Sequence, residues 1–256
     1  MALPCRVLAL KFVCISCHYK RRLRSGQAPV ILFFAAPVLE VASGISGTTL
    51  LMERAATADN ELPRTLTTAL KEWAVAVRAL REGRQVILLR KGGVRDAGGE
   101  FVVESRDVLL FPTFEHQVEQ VGTLQPCYGA WREDEEKQRP RGENVRFEAW
   151  ARITDILLVE PSRYTKLFTF GSQHIYGDAF LKFRAENEPQ KPLYCLFLRA
   201  FNLPAPVTVP MEPDYYGCRS WITLENEVSL AGAMPALSRH TYEERVRVTK
   251  RILTTD

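Results

Sequence analysis

Two nearly unbroken apolar runs organise the chain, Val86-Ile87-Leu88-Leu89 and Leu193–Phe201. Runs of this length without polar interruption predict strands covered on both faces. Arg199 is the exception in the second, a charge that must be paired or point into a cleft. Arg146–Thr154 alternates instead, with Phe147, Ala149, Ala151 and Ile153 on one side and Arg146, Glu148, Trp150 and Arg152 on the other. That pattern predicts a half-buried strand, continued past a bulge by Asp155–Val159. Upstream, Leu66, Leu70, Trp73, Val77 and Leu80 recur at helical spacing, with Thr65 or Thr67 as the cap and Gly83 as the stop.

The remaining stretches connect these elements. Gly92-Gly93 and Gly98-Gly99 flank Val94–Ala97, which reads as a hairpin from strand Gln85–Arg90 into strand Glu100–Glu104. Arg132–Asn144 is highly charged, contains Pro140 and Gly142, and reads as an exposed loop. Pro161 opens a turn or short helix through Phe168, and Gln173–Arg184 is predicted to be helical. A proline-rich passage with Pro204, Pro206, Pro210 and Pro213 precedes Asp214–Trp221, and a closing helix has Thr241 and Glu244 as a capping box. The expected fold is α+β: a mixed or antiparallel sheet packed by an N-terminal helix, Leu66–Leu80, and a C-terminal helix.

Charge changes the picture at the N-terminus. The 256 residues carry a net charge of +4, but residues 1–52 hold six Lys/Arg against the single acid Glu40. The remaining 28 basic and 29 acidic residues leave the main domain close to neutral, so total charge gives no support to unspecific phosphate binding. Residues 1–52 read as a leader, either an over-extended reading frame or a targeting segment, 53–64 as a polar connector, and 65–256 as one α+β domain. The apolar part of the leader is broken by Pro29, Pro37, Glu40, Gly44 and Gly47, and no membrane span is expected. Cys14-Ile15-Ser16-Cys17-His18 has the form of a haem-attachment motif but precedes a cationic run outside any plausible fold. Cys127, Cys195 and Cys218 are isolated thiols without zinc spacing, as suits a reduced, cytoplasmic compartment.

The candidate chemistry clusters in Gln85–Gln117. Glu100, Glu104 and Glu115 near Lys91 are the residue types a Mg²⁺-dependent nuclease uses to hold metal and orient the attacking water, and His116 is placed as general base or ligand. Solvent-facing hairpin charges explain the same acids, and a structural histidine capping a helix explains His116 equally well. His174, followed by Tyr176 and Asp178, carries the same two readings, and Cys218 is a nucleophile only if a histidine reaches it. The glycine pairs with Arg90, Lys91 and Arg95 suggest phosphate handling, yet no Walker or dinucleotide fingerprint follows, and turn-forming glycines account for them. Arg199 and Arg219 join Arg90 and Lys91 as anion-binding candidates, one on an apolar strand and one in a Tyr- and Trp-flanked turn.

Several motifs, taken in order, resemble the bacterial family known as domain of unknown function 1802. They are Leu70–Val77, Leu88–Gly93, Gly99-Glu100-Phe101, Pro112–Gln117, Pro192-Leu193-Tyr194 with Leu198-Arg199, and Tyr216–Trp221. The resemblance spans about Leu66 to Leu224, and departs from the family pattern at Phe114, where Tyr is usual, and in the acid-rich stretch Arg132–Arg141. It implies no settled activity, only an association with restriction-type nuclease domains. Two readings stay open, and with them whether the chain is an enzyme. One is a nucleic-acid-acting domain with an arginine-lined anion site, Arg90, Lys91, Arg199 and Arg219 taking phosphate and Tyr215, Tyr216 or Trp221 stacking. The other is a non-catalytic module for a small anionic ligand or a partner protein. Oligomeric state is not legible in the sequence.

Overall fold

The computed structural model describes residues 62–91, 103–114, 122–217 and 219–255. Within them a seven-stranded mixed sheet is built from β1 (Thr65–Trp73), β2 (Ile87–Arg90), β3 (Asp107–Thr113), β4 (Asn144–Val159), β5 (Leu193–Pro210), β6 (Trp221–Ser229) and β7 (Met234–Pro235). Four α-helices accompany it: α1 (Ala74–Arg81), α2 (Trp131–Gln138), α3 (Asp178–Glu186) and α4 (Arg239–Thr254). The strands run in the order β2-β5-β4-β3-β1-β6, with β7 beside β5. β1 and β3 are parallel and the other pairs antiparallel. The expected α+β class with a mixed sheet and a C-terminal helix is what the chain adopts.

The N-terminal helix is much shorter than its periodicity predicts. Thr65–Trp73 is a strand, hydrogen-bonded on both sides by β3 and β6, and only Ala74–Arg81 is helical. The β-branched run Thr65, Thr67, Thr68 favours extended backbone, and leucines four apart fit a strand buried on both faces as well as a helix. α1 buries six of its eight residues and ends at Gly83, whose φ of +62° and close approach to Leu237 suit a residue without a side chain.

Alternate residues of β1 and β3 feed two separate cores. Leu70, Val108 and Leu110 join α1, β2, α3 and α4 in the larger one, whereas Ala69, Leu109 and Phe111 join Phe147, Tyr215, Ile222 and Leu224 in the smaller. The alternation expected in β4 breaks at a register shift between Phe147 and Ala149. The shift turns Phe147 to the same core as Trp150, which stacks on Phe201 at 4.2 Å, while Ala149, Ala151 and Ile153 face the larger core. The second shift, between Ile153 and Asp155, is the anticipated bulge into Asp155–Val159. β5 runs beyond Phe201 to Pro210, absorbing Pro204 and Pro206 where its pairing with β4 jumps from Asn202 to Val207.

Other expectations need correcting. Arg132–Asn144 is not all loop: Trp131–Gln138 forms α2, which buries none of its residues. α2 docks on α1 through Arg78, whose guanidinium lies 4.2 Å from the Trp131 ring and 3.4 Å from Glu135. The helix predicted over Gln173–Arg184 begins at Asp178, after a 3₁₀ turn at Gly171–Gln173. The cap of α4 is Ser238, whose Oγ accepts from Thr241 N at 3.1 Å, so Thr241 is three residues inside the boundary rather than at it. Val103-Glu104-Ser105 is irregular, β3 follows at Asp107, and the Gly92–Gly99 hairpin lies outside the described residues.

Candidate functional site

The end of β1 presents consecutive side chains to opposite faces of the sheet. Glu72 faces the larger core and takes Arg90, the last residue of β2, at 2.9 Å, while its other oxygen accepts from Trp73 N at 2.8 Å. Arg90 also donates to the Lys71 carbonyl. Lys91 follows and is spent on backbone, donating to the carbonyls of Asn187 and of Glu188, the latter at 2.9 Å, beneath the Tyr164 ring. Burial holds its ammonium below the ordinary lysine pKa. Arg184 of α3 completes this group and lies 5.0 Å from the Phe180 ring.

Lys71 points the other way, donates to Gly217 O at 3.1 Å, and lies 5.4 Å from the Phe111 ring. It forms one wall of an open cleft of about 210 Å³ between the end of β3, the start of β4 and the turn before β6. Phe114, Tyr215, Tyr216, Arg139 and Arg146 also line the cleft, and Glu143 is the one carboxylate among its described residues. Arg139 lies 5.3 Å from the Phe114 ring. Tyr216 is 44% exposed, whereas Tyr215 is buried and its hydroxyl accepts from Glu225 N at 3.0 Å. The cleft therefore offers two aromatic faces, Phe114 and Tyr216, and three cations.

The chain matches the family model described as Domain of unknown function (DUF1802) over residues 69–248. It belongs to the DUF1802 family. The matched span opens within β1 and closes within α4, so it takes in the whole sheet apart from the first residues of β1. No curated protein matches the chain. Two solved structures of the ASCH protein of Zymomonas mobilis are matched, each 12% identical. The first, a serine-to-alanine mutant, is matched over 73% of this chain and 99% of that one with a TM-score of 0.34. The second is matched over 71% and 93% with a TM-score of 0.32. At such values neither likeness bears on what this DUF1802 domain does.

Of the residues predicted to form its site, Glu100, Glu115 and His116 lie outside the described residues, as does Cys218. Among the described residues no three His, Cys, Asp or Glu side chains gather to hold a metal ion. Arg90 and Lys91 do stand together. Arg199 does not join them: it lies beyond Leu198, whose N–H bonds Val86 O, whereas Arg90 pairs with Tyr194, five residues back along β5 or roughly 16 Å of strand. Arg199 lies instead in a small hollow with Leu237 and Tyr242, and Arg219 is exposed and does not line the cleft. Trp221 is buried and unavailable for stacking. His174 is also structural, 2% exposed, with Nδ1 accepting from Tyr176 N at 3.1 Å. Sequence reasoning missed Lys71 because its facing the cleft depends on β1 being a strand, and it also missed Phe114, Arg139, Arg146 and Arg184.

Proposed function

We propose that this domain binds single-stranded nucleic acid in the cleft beside Lys71, with Phe114 and Tyr216 stacking on bases and Arg139 and Arg146 meeting the backbone. The observation that carries the reading is that two aromatic rings, Phe114 and Tyr216, line a single hollow with three cations and one carboxylate. Stacking suits any base because each has a π-face, and it requires bases that are not already paired. A near-neutral domain can still attract phosphate locally where cations gather, and Lys71, Arg139 and Arg146 line this one hollow. Arg146 also pairs with Glu148 at 2.6 Å and Arg139 with Glu136 at 3.3 Å, contacts that a backbone phosphate would share or displace.

Fluorescence anisotropy with a labelled single-stranded oligonucleotide tests the reading. The wild-type domain should bind it in preference to a duplex, and Tyr216→Ala should weaken binding by about 1–3 kcal/mol, the loss of one stacked base. Equal binding of single strand and duplex, with Tyr216→Ala neutral, would overturn it and favour a small anionic ligand or a protein partner.

A further inference from the structure

The opposite face of β1 holds a second feature that the cleft does not explain. Arg184 Nε is sealed from solvent and has no acceptor, and among the described residues no carboxylate stands within ion-pairing distance of its guanidinium. Arg90 Nε is likewise sealed and unpartnered. The surrounding charge is lopsided. Arg90, Lys91, Arg184 and Lys191 are opposed by Glu72 and Glu188. Of these, Glu188 is taken by Lys191 at 2.6 Å and Glu72 by Arg90. Burial lowers the Arg184 pKa, and Arg90 pushes it in the same direction.

We propose that Arg184 and Arg90 form a binding site for a dianionic phosphate group, at the junction of α3 with the ends of β1 and β2. A sealed guanidinium N–H without an acceptor is costly, and an anion that accepts from it removes that cost. Phosphate fits better than carboxylate on two grounds. Its charge of about −1.5 to −2 at neutral pH approaches the excess of two cations over the named carboxylates, and its three or four oxygens can accept from the Arg184 fork and from Arg90 Nε together. The aromatic floor of Phe180, Trp73 and Tyr176, with Trp73 at 5.1 Å and Tyr176 at 4.3 Å from Phe180, excludes water beneath the guanidinium. The phosphate comes either free in solution or on the end of a nucleotide, and both present the same chemistry to the two arginines. The site lies across β1 from the cleft and shares no side chain with it, so each stands or falls separately.

Isothermal titration with inorganic phosphate at fixed ionic strength, and in parallel with adenosine monophosphate against adenosine, tests the proposal. Wild type should bind phosphate or the monophosphate but not adenosine. Arg184→Gln should weaken that binding at least about tenfold, in keeping with the loss of a charge-assisted bond. Arg184→Lys, which keeps the charge but loses the fork, should fall between. Binding of the monophosphate alone supports the site with a nucleotide-borne phosphate. If Arg184→Gln fails to fold, wild type and Arg184→Lys still decide the matter. Absence of binding to wild type, or equal affinity in wild type and Arg184→Lys, overturns the proposal.

Discussion

Arg90 Nη2 lies 2.9 Å from Glu72 Oε2, and this contact joins two strands that are four places apart along the sheet. β2 is one end of the strand order and β1 the last but one at the other, so the sheet must curl for these side chains to meet. The pair thus closes the larger core at the point where hydrogen bonding between strands does not. Both side chains are largely buried, with 14% and 9% exposure. Glu72→Ala is expected to lower stability by about 3 kcal/mol, because it leaves a buried guanidinium unpaired. The apolar double replacement Glu72→Leu with Arg90→Met should recover most of that loss. Urea denaturation of the three proteins checks both statements.

His174 makes stability depend on pH. Burial pushes its pKa down from 6.5 to about 4, and its Nδ1 already accepts the Tyr176 N–H, so protonation would break that bond. The unfolded chain takes up the proton near pH 6.5 while the folded one resists until about pH 4. The contribution is therefore complete above pH 6.5 and is lost as pH falls towards 4, about 3 kcal/mol in all. Unfolding free energies measured from pH 7.5 to 5 should decline below pH 6.5, and His174→Phe should flatten that decline.

Gly177, the residue before α3, admits no side chain. A Cβ there would lie 2.5 Å from the Gly122 carbonyl and 2.8 Å from that of Leu124, both backbone atoms that cannot swing aside. Gly177→Ala should cost about 3 kcal/mol by overpacking, whereas Gly171→Ala meets no atom within 4 Å and pays only for its φ of +54°. Thermal melts of the two variants should rank them in that order.

The two apolar runs were legible because they are short, β-branched or aromatic in part, and flanked by glycine or proline, as strands buried on both faces are. Ile87–Leu89 and Leu193–Phe201 lie in the sheet where they were expected. β1 was not legible: Leu66, Leu70 and Trp73 satisfy a helical period, and only the pairing partners β3 and β6, far along the chain, decide for a strand. The error spread to the site. A helix through Lys71 and Glu72 gives them no reason to face opposite sides, whereas a strand sends one to the cleft and the other to Arg90. Arg184 was invisible for a different reason, since a missing partner is a property of the folded surroundings and leaves no trace in residue type.

The cleft's electrostatics yield a prediction that separates its two roles. Removing one phosphate contact by Arg139→Gln should weaken binding of single strands uniformly across sequences and reduce the salt slope by about 1, while Tyr216→Ala should leave the slope unchanged. Titrations at several salt concentrations distinguish these outcomes.

The most direct measurement is photo-crosslinking of a bromouracil-containing single strand to the wild-type domain, followed by mass spectrometric mapping of the attached peptides. The account predicts attachment at Phe114 and Tyr216, the two aromatic rings assigned to stacking in the cleft. Crosslinks confined to α4 or to β7, with the peptides bearing Phe114 and Tyr216 unmodified, would contradict it.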